Sequence, residues 1–463
     1  MARTIEYAGE YELSEIKLYT STGQVIDLSN TTIEINLFED LLRASISGSV
    51  IVADTNNIIQ NATILGQEFL TLKIKTPGLD DEAIDYTEHS FCAYKIGSRT
   101  DLAQGAEVFE ISLVSPELFR SVRTRISKSY TESIDKIVED ILRNPLYCNS
   151  KKQLFIEPTS GIRRLVIPNK NPFNIIKDLA NESMSKETQA SDYMLFETTR
   201  GIHFRSLQSL IFQPSMGEYH AGETGDFGDQ KVSDIEQEFK RVIHYEIDSN
   251  NDMLANIGGG MLASRVITHD IYNKNYEVKD YGYFTNFDDQ NRLEKNPVYN
   301  EVVIDEQGNT LETFPEAKLF YHPTSTTTDD KDSQHYETET SNYPYMSNRI
   351  NNWISSRRSK LVELNSGISM GILINGNTTV EVGQKISFIK PLRGKSHSKD
   401  EIDTYYSGDF LITRLRHTFS QATKKHEISM VVIKDATART YENIQDGSEP
   451  VGKTGKAITE FYN

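Results

Sequence analysis

Apolar and polar residues alternate over 11–20 and 32–38 of this chain, and strand-like runs follow at 45–52, 91–96 and 108–114. A strand sends successive side chains to opposite faces, so a period of two marks a strand with one buried face. Ser21, Thr22 and Gly23 make a turn, and 54–57 reads as a loop. The first 118 residues therefore predict a small sheet or barrel. Near residue 120 the period lengthens. Ile134, Ile137, Val138, Ile141 and Leu142 recur at helical spacing, and Ser129 with Glu132 predicts a capping box before them. Asn171 followed by Pro172 starts a second helix with Phe173, Ile176, Leu179 and Ala180 on its apolar face. The runs 193–197 and 202–205, split by Arg200 and Gly201, read as a hairpin. The stretch 119–230 is thus an α+β module, closing in a Gly-rich, acidic segment at 215–230 that reads as a loop.

Strand character returns at 241–247 and 264–272. The Thr- and Asp-rich stretch 324–341 reads as a surface loop. A helix follows with Met346, Ile350, Trp353, Ile354, Leu361 and Leu364 on one face. Then come a hairpin of 368–374 and 378–382 around Asn375, Gly376 and Asn377, and strands at 385–389, 410–415 and 427–433. The segment 436–463 reads as a polar tail.

A repeat organises these elements. Gly66-Gln67 is followed 44 positions on by Glu110-Ile111-Ser112-Leu113-Val114. Gly383-Gln384 is followed at the same separation by Glu427-Ile428-Ser429-Met430-Val431. Two related β domains are expected, 1–118 and a second one. The second has a first part at 231–280, an insertion at 281–345 and the remainder, with its helix, at 346–435. The copies are out of phase by one: alternation starts at Leu70 in the first and at Ile386 in the second. A single-residue slip swaps the two faces of a strand, so one copy needs a bulge or a different pairing.

The 463 residues are 37% hydrophobic and 25% charged, with a formal charge of −18. No run is long enough for a membrane-spanning helix, and the N-terminus has no apolar core like that of a signal peptide. Cys92 and Cys148 read as free thiols of a chain made and kept in a cytoplasm. The acidic balance opposes sequence-specific nucleic-acid binding but suits a surface past which nucleic acid slides. The 23 Tyr and 20 Phe favour a β-rich, partner-making protein.

Candidate chemistry is sparse. Gly447, Gly452, Lys453 and Thr454 fit G-x-x-x-x-G-K-T, but no apolar strand precedes them, and the nine residues that follow are too few for the fold such a loop serves. Gly258, Gly259 and Gly260 lack phosphate-loop spacing and read as a turn. Asp248, Asn250 and Asp252 resemble the start of a calcium loop, yet Met253 stands where the sharp turn needs Gly. His269 and His417 sit in strands as structural histidines. No H-E-x-x-H or G-x-S-x-G occurs. No catalytic, cofactor-binding or metal residue is assigned, and the chain reads as a non-enzyme without cofactor.

Residues 46–54 leading to Gly66, Gln67 and Glu68, residues 260–270 with Tyr276 and Tyr281, and residues 409–417 and 427–436 together resemble the baseplate hub subunit of contractile-tailed bacteriophages. The likeness is to the T-even type and its marine and cyanobacterial relatives, over about 30–435. It implies a β-rich α+β multidomain fold: two related tube-like antiparallel β-barrel domains with an inserted α+β module. It also implies a homotrimer whose six barrels join a hexameric tail tube protein to the central spike protein. Other baseplate proteins would surround the ring, and DNA would pass through its channel without specific binding. The location would be the virion tail baseplate, assembled in the host cytoplasm. The segments 215–230 and 280–345 look longer than in that family. Other readings of the residues are a tail-associated peptidoglycan hydrolase and a receptor- or carbohydrate-binding β protein.

Overall fold

The computed structural model describes residues 5–54, 64–79, 83–97, 99–102, 106–221, 235–249, 252–270, 274–301, 307–324, 353–392 and 402–438. The match at 447–454, Met346, Ile350 and all of 324–341 except Thr324 lie outside them.

Strands β1 (Glu12–Tyr19), β2 (Val25–Asp27), β3 (Thr32–Asp40), β4 (Ser47–Asp54), β5 (Phe69–Lys75), β6 (Ile84–Asp85), β7 (Phe91–Ile96), β8 (Thr100–Leu102) and β9 (Ala106–Val114) build the first β unit. Six of them run in the order β1-β5-β7-β9-β4-β3. Their inward positions, among them Ile16, Leu37, Val50, Leu72, Phe91 and Ile111, fill one core. The alternation of the sequence thus becomes an inside and an outside.

Helices α1 (Pro116–Arg123), α2 (Ile134–Arg143) and α3 (Pro172–Glu182) and strands β10 (Ile126–Glu132), β11 (Gln153–Ile156), β12 (Arg163–Lys170), β13 (Tyr193–Glu197) and β14 (Gly201–Ser206) form the middle module, with its own core. The expected hairpin is β13–β14. Asn171 does precede α3, but its side chain does not cap that helix. Its Nδ2 donates instead to the carbonyls of Ser121 and Val122, both at 2.9 Å, tying α3 to the end of α1. The capping box before α2 does not form. Ser129 and Glu132 are consumed by β10, and Ser133 stands at the N-cap.

After the short helix α4 (Leu207–Phe212), the segment read as a loop from 215 is a strand, β15 (Ser215–Ala221). Its neighbours supply the hydrogen bonds that its composition does not advertise. Helix α5 (Ile235–Phe239) and strand β16 (Arg241–Ser249) follow, then helix α6 (Met253–Gly259), capped by Asp252 and closed by left-handed Gly260. Strands β17 (Ala263–Asp270) and β18 (Asn275–Gly282) pair with β20 (Leu319–Thr324) in a separate sheet. The run expected at 264–272 therefore lies outside the second barrel. Strand β19 (Asn296–Pro297) pairs with β25 (Ala436–Thr437), so the start of the expected tail is a buried strand. Helix α7 (Ile354–Ser366) begins one residue after Trp353.

Strands β21 (Ile368–Asn375), β22 (Lys385–Ile389), β23 (Gly408–Ser420) and β24 (Lys425–Lys434) complete a closed barrel with β15 and β16, in the cyclic order β15-β22-β23-β24-β21-β16. The expected hairpin of β21 with 378–382 is not made. β21 pairs with β16 and β24. The 378–382 backbone is held by side chains instead: Val382 N donates to Glu39 at 2.8 Å and Glu381 N to Gln384 at 2.8 Å.

Numbered by their place in each unit, the six strands of the two barrels follow one order: first, fourth, fifth, sixth, third, second. They differ in the first strand, since β1 is antiparallel to β5 whereas β15 is parallel to both β22 and β16. Two irregularities recur in place. The register breaks at Thr32/Glu34 and at Val242/His244 on the second strands, and at Ala93/Lys95 and at Ile412/Arg414 on the fifth. Ladder partners then match throughout: Phe91 with Phe410, Lys95 with Arg414, Ser112 with Val431, Ser49 with Gly371, and Asn36 with Glu246. The phase difference also resolves. Ala93 N donates to Glu68 O as Ile412 N donates to Gln384 O, so Glu68 answers Gln384 and Gln67 is one extra turn residue. Glu68 holds its turn by accepting from the N–H groups of Leu65, Gly66 and Gln67 at 2.7–2.8 Å. Gly66 and Gly383, at φ 87° and 86°, both turn the chain where a side chain would strain it.

Candidate assembly surface

The barrels are joined edge to edge. The first half of β23 pairs with β22, and Arg414–Ser420 then pairs with β3. Phe419 is thereby a member of the first barrel's core. The result is one antiparallel sheet, β7-β9-β4-β3-β23-β24-β21-β16, to which each barrel gives four strands. Its outer face curves into a groove lined by Asp40, Ser49, Tyr94, Glu110, Arg414 and Arg416.

At the seam a basic edge meets an acidic one. Arg416 Nε donates to Asn36 Oδ1 at 2.9 Å and its guanidinium approaches Glu34 at 3.5 Å, while Arg414 lies 3.7 Å from Asp40. Exposed pairs of this kind each contribute about 0–1 kcal/mol, so the backbone ladder and the buried side carry the join. On that side His417 Nδ1 and His426 Nε2 are 3.0 Å apart, and His426 stacks on Phe419 with ring centroids 4.1 Å apart. Burial pushes His417 down to about 3, and burial, then His417, pushes His426 well below the usual histidine range, so both rings are neutral. His417 is thus the structural histidine that its strand position suggested.

Glu39 locks three bodies together. It is 1% exposed, at the end of β3. One carboxylate oxygen accepts from Thr199 N at 2.6 Å in the middle module, and the other accepts from Val382 N in the second barrel. Burial, then the nearby Glu381, pushes its pKa up to about 8. The folded state therefore binds a proton that the unfolded chain, near 4.3, has already lost. Stability contributed by this proton is present below about pH 4 and is lost as pH rises through about 8. Glu39→Gln should flatten the decline in denaturation midpoint between pH 5 and pH 8, relative to the unsubstituted chain. An unchanged slope would assign the decline to other groups.

A buried cluster braces the middle module against the first barrel. Lys152 Nζ lies 2.5 Å from Glu197, 2.9 Å from Glu117 and 2.7 Å from Ser115 Oγ. Ile46 N, at the start of β4, donates to Glu197 at 3.2 Å. On the far side, Lys360 of α7 reaches Asp435 at 2.7 Å, and Arg292 contacts Glu363 at 2.6 Å. None of these groups was singled out in the sequence. Glu39 did leave a signal, an acid on the buried phase of a strand whose Ile35 and Leu37 face the core.

The remaining candidates do not converge. Cys92 and Cys148 are buried free thiols, and burial pushes Cys148 up to about 12. Gly258 and Gly259 end α6, and Asp252 caps that helix by accepting from Ala255 N. His269 meets Tyr321 at 2.9 Å on the surface. Among the described residues, no group of three His, Cys, Asp or Glu is placed to hold a metal ion, and no helix is long and apolar enough to cross a membrane.

No protein-family model matches the chain, and no curated protein matches it. Among solved structures it is similar to the tail protein from Neisseria meningitidis MC58, with a TM-score of 0.50 at 9% identity over 92% of this chain and 97% of that one. It is also similar to the prophage MuSo2 43 kDa tail protein from Shewanella oneidensis, at 0.48 and 10% over 91% and 100%. A third is the E. coli c3393 protein, described as a type VI secretion component similar to the T4 tail proteins gp27 and gp5, at 0.42 and 8% over 94% and 79%. At 9% identity, the first of these likenesses is one of fold.

Proposed function

We propose that the chain is a structural hub subunit of a contractile phage tail baseplate, without chemistry of its own. Three copies form a ring that joins a hexameric tail tube to the central spike and surrounds the DNA channel. The observation that carries this reading is the fused pair of barrels with one strand order. A ring closes only when interface and rotation agree, and three chains with two alike barrels each present six units to a sixfold partner and three to a threefold one. The fold likeness to a phage tail protein supports the same reading.

On the outer face of the joined sheet, the five acids Glu34, Asp40, Glu110, Glu246 and Glu427 stand beside the four bases Lys95, Arg414, Arg416 and Lys425. Within a chain of net charge −18, such a face would let nucleic acid slide without sticking. The middle module and the α7 region around Trp353 would face other baseplate proteins. In sedimentation the purified chain, alone or with the spike protein added, should run as a trimer, and images should show a threefold ring with a central hole. Obligate interfaces of this kind bury more than about 2,000 Å². Monomers under all conditions would overturn the proposal.

A further inference from the structure

We infer that the chain binds a free α-amino acid in a polar cavity walled by the middle module, the insertion and α7. The ligand's ammonium sits on Asp192 and Gln290, and its carboxylate on Arg357. This site goes beyond the structural role proposed above and does not depend on it.

The cavity, of about 270 Å³, lies where three segments meet: 184–192 ahead of β13, 281–290 from the end of β18 onward, and 353–360 at the start of α7. Small ligands bind preferentially at such junctions between structural units. Four buried polar atoms on residues of its wall have no hydrogen-bond partner of good geometry: both carboxylate oxygens of Asp192, Gln290 Oε1 and Arg357 Nε. Buried polar groups are nearly always satisfied, so orphans gathered around one space point to a ligand. Asp192 is the strongest of them, at 2% exposure. Burial pushes its pKa up to about 6, against the pull of Lys360, its own N–H, Arg357 and the Gln208 N–H. It is therefore ionised at neutral pH. The two cations are engaged elsewhere. Lys360 lies 2.7 Å from Asp435 and 3.3 Å from Glu363, and Arg357 Nη2 donates to Tyr193 O at 3.4 Å.

A carboxylate and a guanidinium that line one cavity without bonding to each other suit a ligand that carries both charges. An ammonium has three N–H donors, and the two Asp192 oxygens with Gln290 Oε1 supply three acceptors. Gln290 is oriented for this, because its Nε2 donates to Ser356. Arg357 offers its unpartnered Nε as part of a planar fork that fits a carboxylate. Water can bond to each of these atoms, but only charges on the ligand offset the burial of both ions. Apart from Lys360 and the exposed Asp289 at the rim, the polar wall is uncharged, with Thr188, Gln189, Ser191 and Gln208 among its residues. A polar side chain such as that of glutamine is therefore favoured over an aliphatic or charged one. Touching all three segments, the ligand fastens the middle module to the insertion and to α7.

Equilibrium dialysis of the full chain with radiolabelled L-glutamine should show a single class of site with a submillimolar Kd. Two analogues test the charges without altering the protein. N-acetyl-L-glutamine lacks the ammonium and L-glutaminamide lacks the carboxylate, and each should compete at least about a hundredfold less well. At about a hundred times its Kd, L-glutamine should raise the thermal midpoint by about 2–3 °C. Asp192→Asn and Arg357→Gln should each weaken binding at least about tenfold. Asp192→Asn removes a buried charge without a bonded partner, so the variant should keep its thermal midpoint in the absence of ligand. Analogues that compete as well as L-glutamine would overturn the site, as would binding unchanged in both variants. A thermal shift with other amino acids but not with L-glutamine would support the site and overturn its side-chain preference. No retention and no shift with any standard amino acid at millimolar concentration would overturn the inference and leave the ring reading standing.

Discussion

Replacing Lys152 with Met should destabilise the chain by about 3–5 kcal/mol, because it leaves two buried carboxylates facing each other without a cation. Lys152, Glu117 and Glu197 have side-chain exposures of 5%, 4% and 0%. Burial alone would push Glu117 up, but Lys152 and the hydroxyls of Ser115 and Ser150 hold it below the usual carboxylate range. Glu197 stays above that range despite Lys152, because it is wholly buried. With the ammonium gone, both carboxyls would move upward and the loss would grow as pH rises through their new values. Urea denaturation at pH 5 and pH 8 would read both the size and the slope. Adding Glu117→Gln and Glu197→Gln to the Met variant should recover most of the loss. A Met variant as stable as the unsubstituted chain would show that the cluster does not hold the middle module in place.

The matched phenylalanines carry the second large effect. Phe91 and Phe410 are both fully buried, at the same ladder position of the two barrels. Phe91 packs on Tyr86 with ring centroids 4.2 Å apart, and Phe410 packs on Phe388 at 6.1 Å. Truncating either to Ala should cost about 3–5 kcal/mol, the transfer of the ring plus the cavity left behind. The two cores are separate, but β23 serves both. Either substitution should therefore lower a single unfolding transition, followed by fluorescence and circular dichroism together. Two resolved transitions in Phe91→Ala would show the barrels unfolding independently and contradict the shared strand.

The strands of both barrels were largely legible because each buries one face, and that writes a period of two into the sequence. The duplication was legible for a subtler reason. Glu110–Val114 and Glu427–Val431 match as letters, yet the ladders displace them by two positions, since Ser112 answers Val431. An even displacement keeps every side chain on its face, so the pattern survives where the register does not. The one-residue offset at Gly66 and Gly383 could not be resolved from letters, because only the hydrogen bonds show that Gln67 is the extra residue. β15 was hidden for the opposite reason. Its burial is uneven and its composition is that of a turn, so its strand state comes from β22 and β16 on either side. The buried ions escaped because each cluster gathers residues far apart in the chain, as Glu39, Thr199 and Val382 do.

Strand β23 has a consequence for how such a chain can change. Its 13 residues belong to both halves, so there is no hinge at which one half could be trimmed, exchanged or borrowed by another gene without stripping the other of a wall. Variation should accordingly collect in the material threaded between strands, and the splice itself should be the slowest part of the molecule to drift.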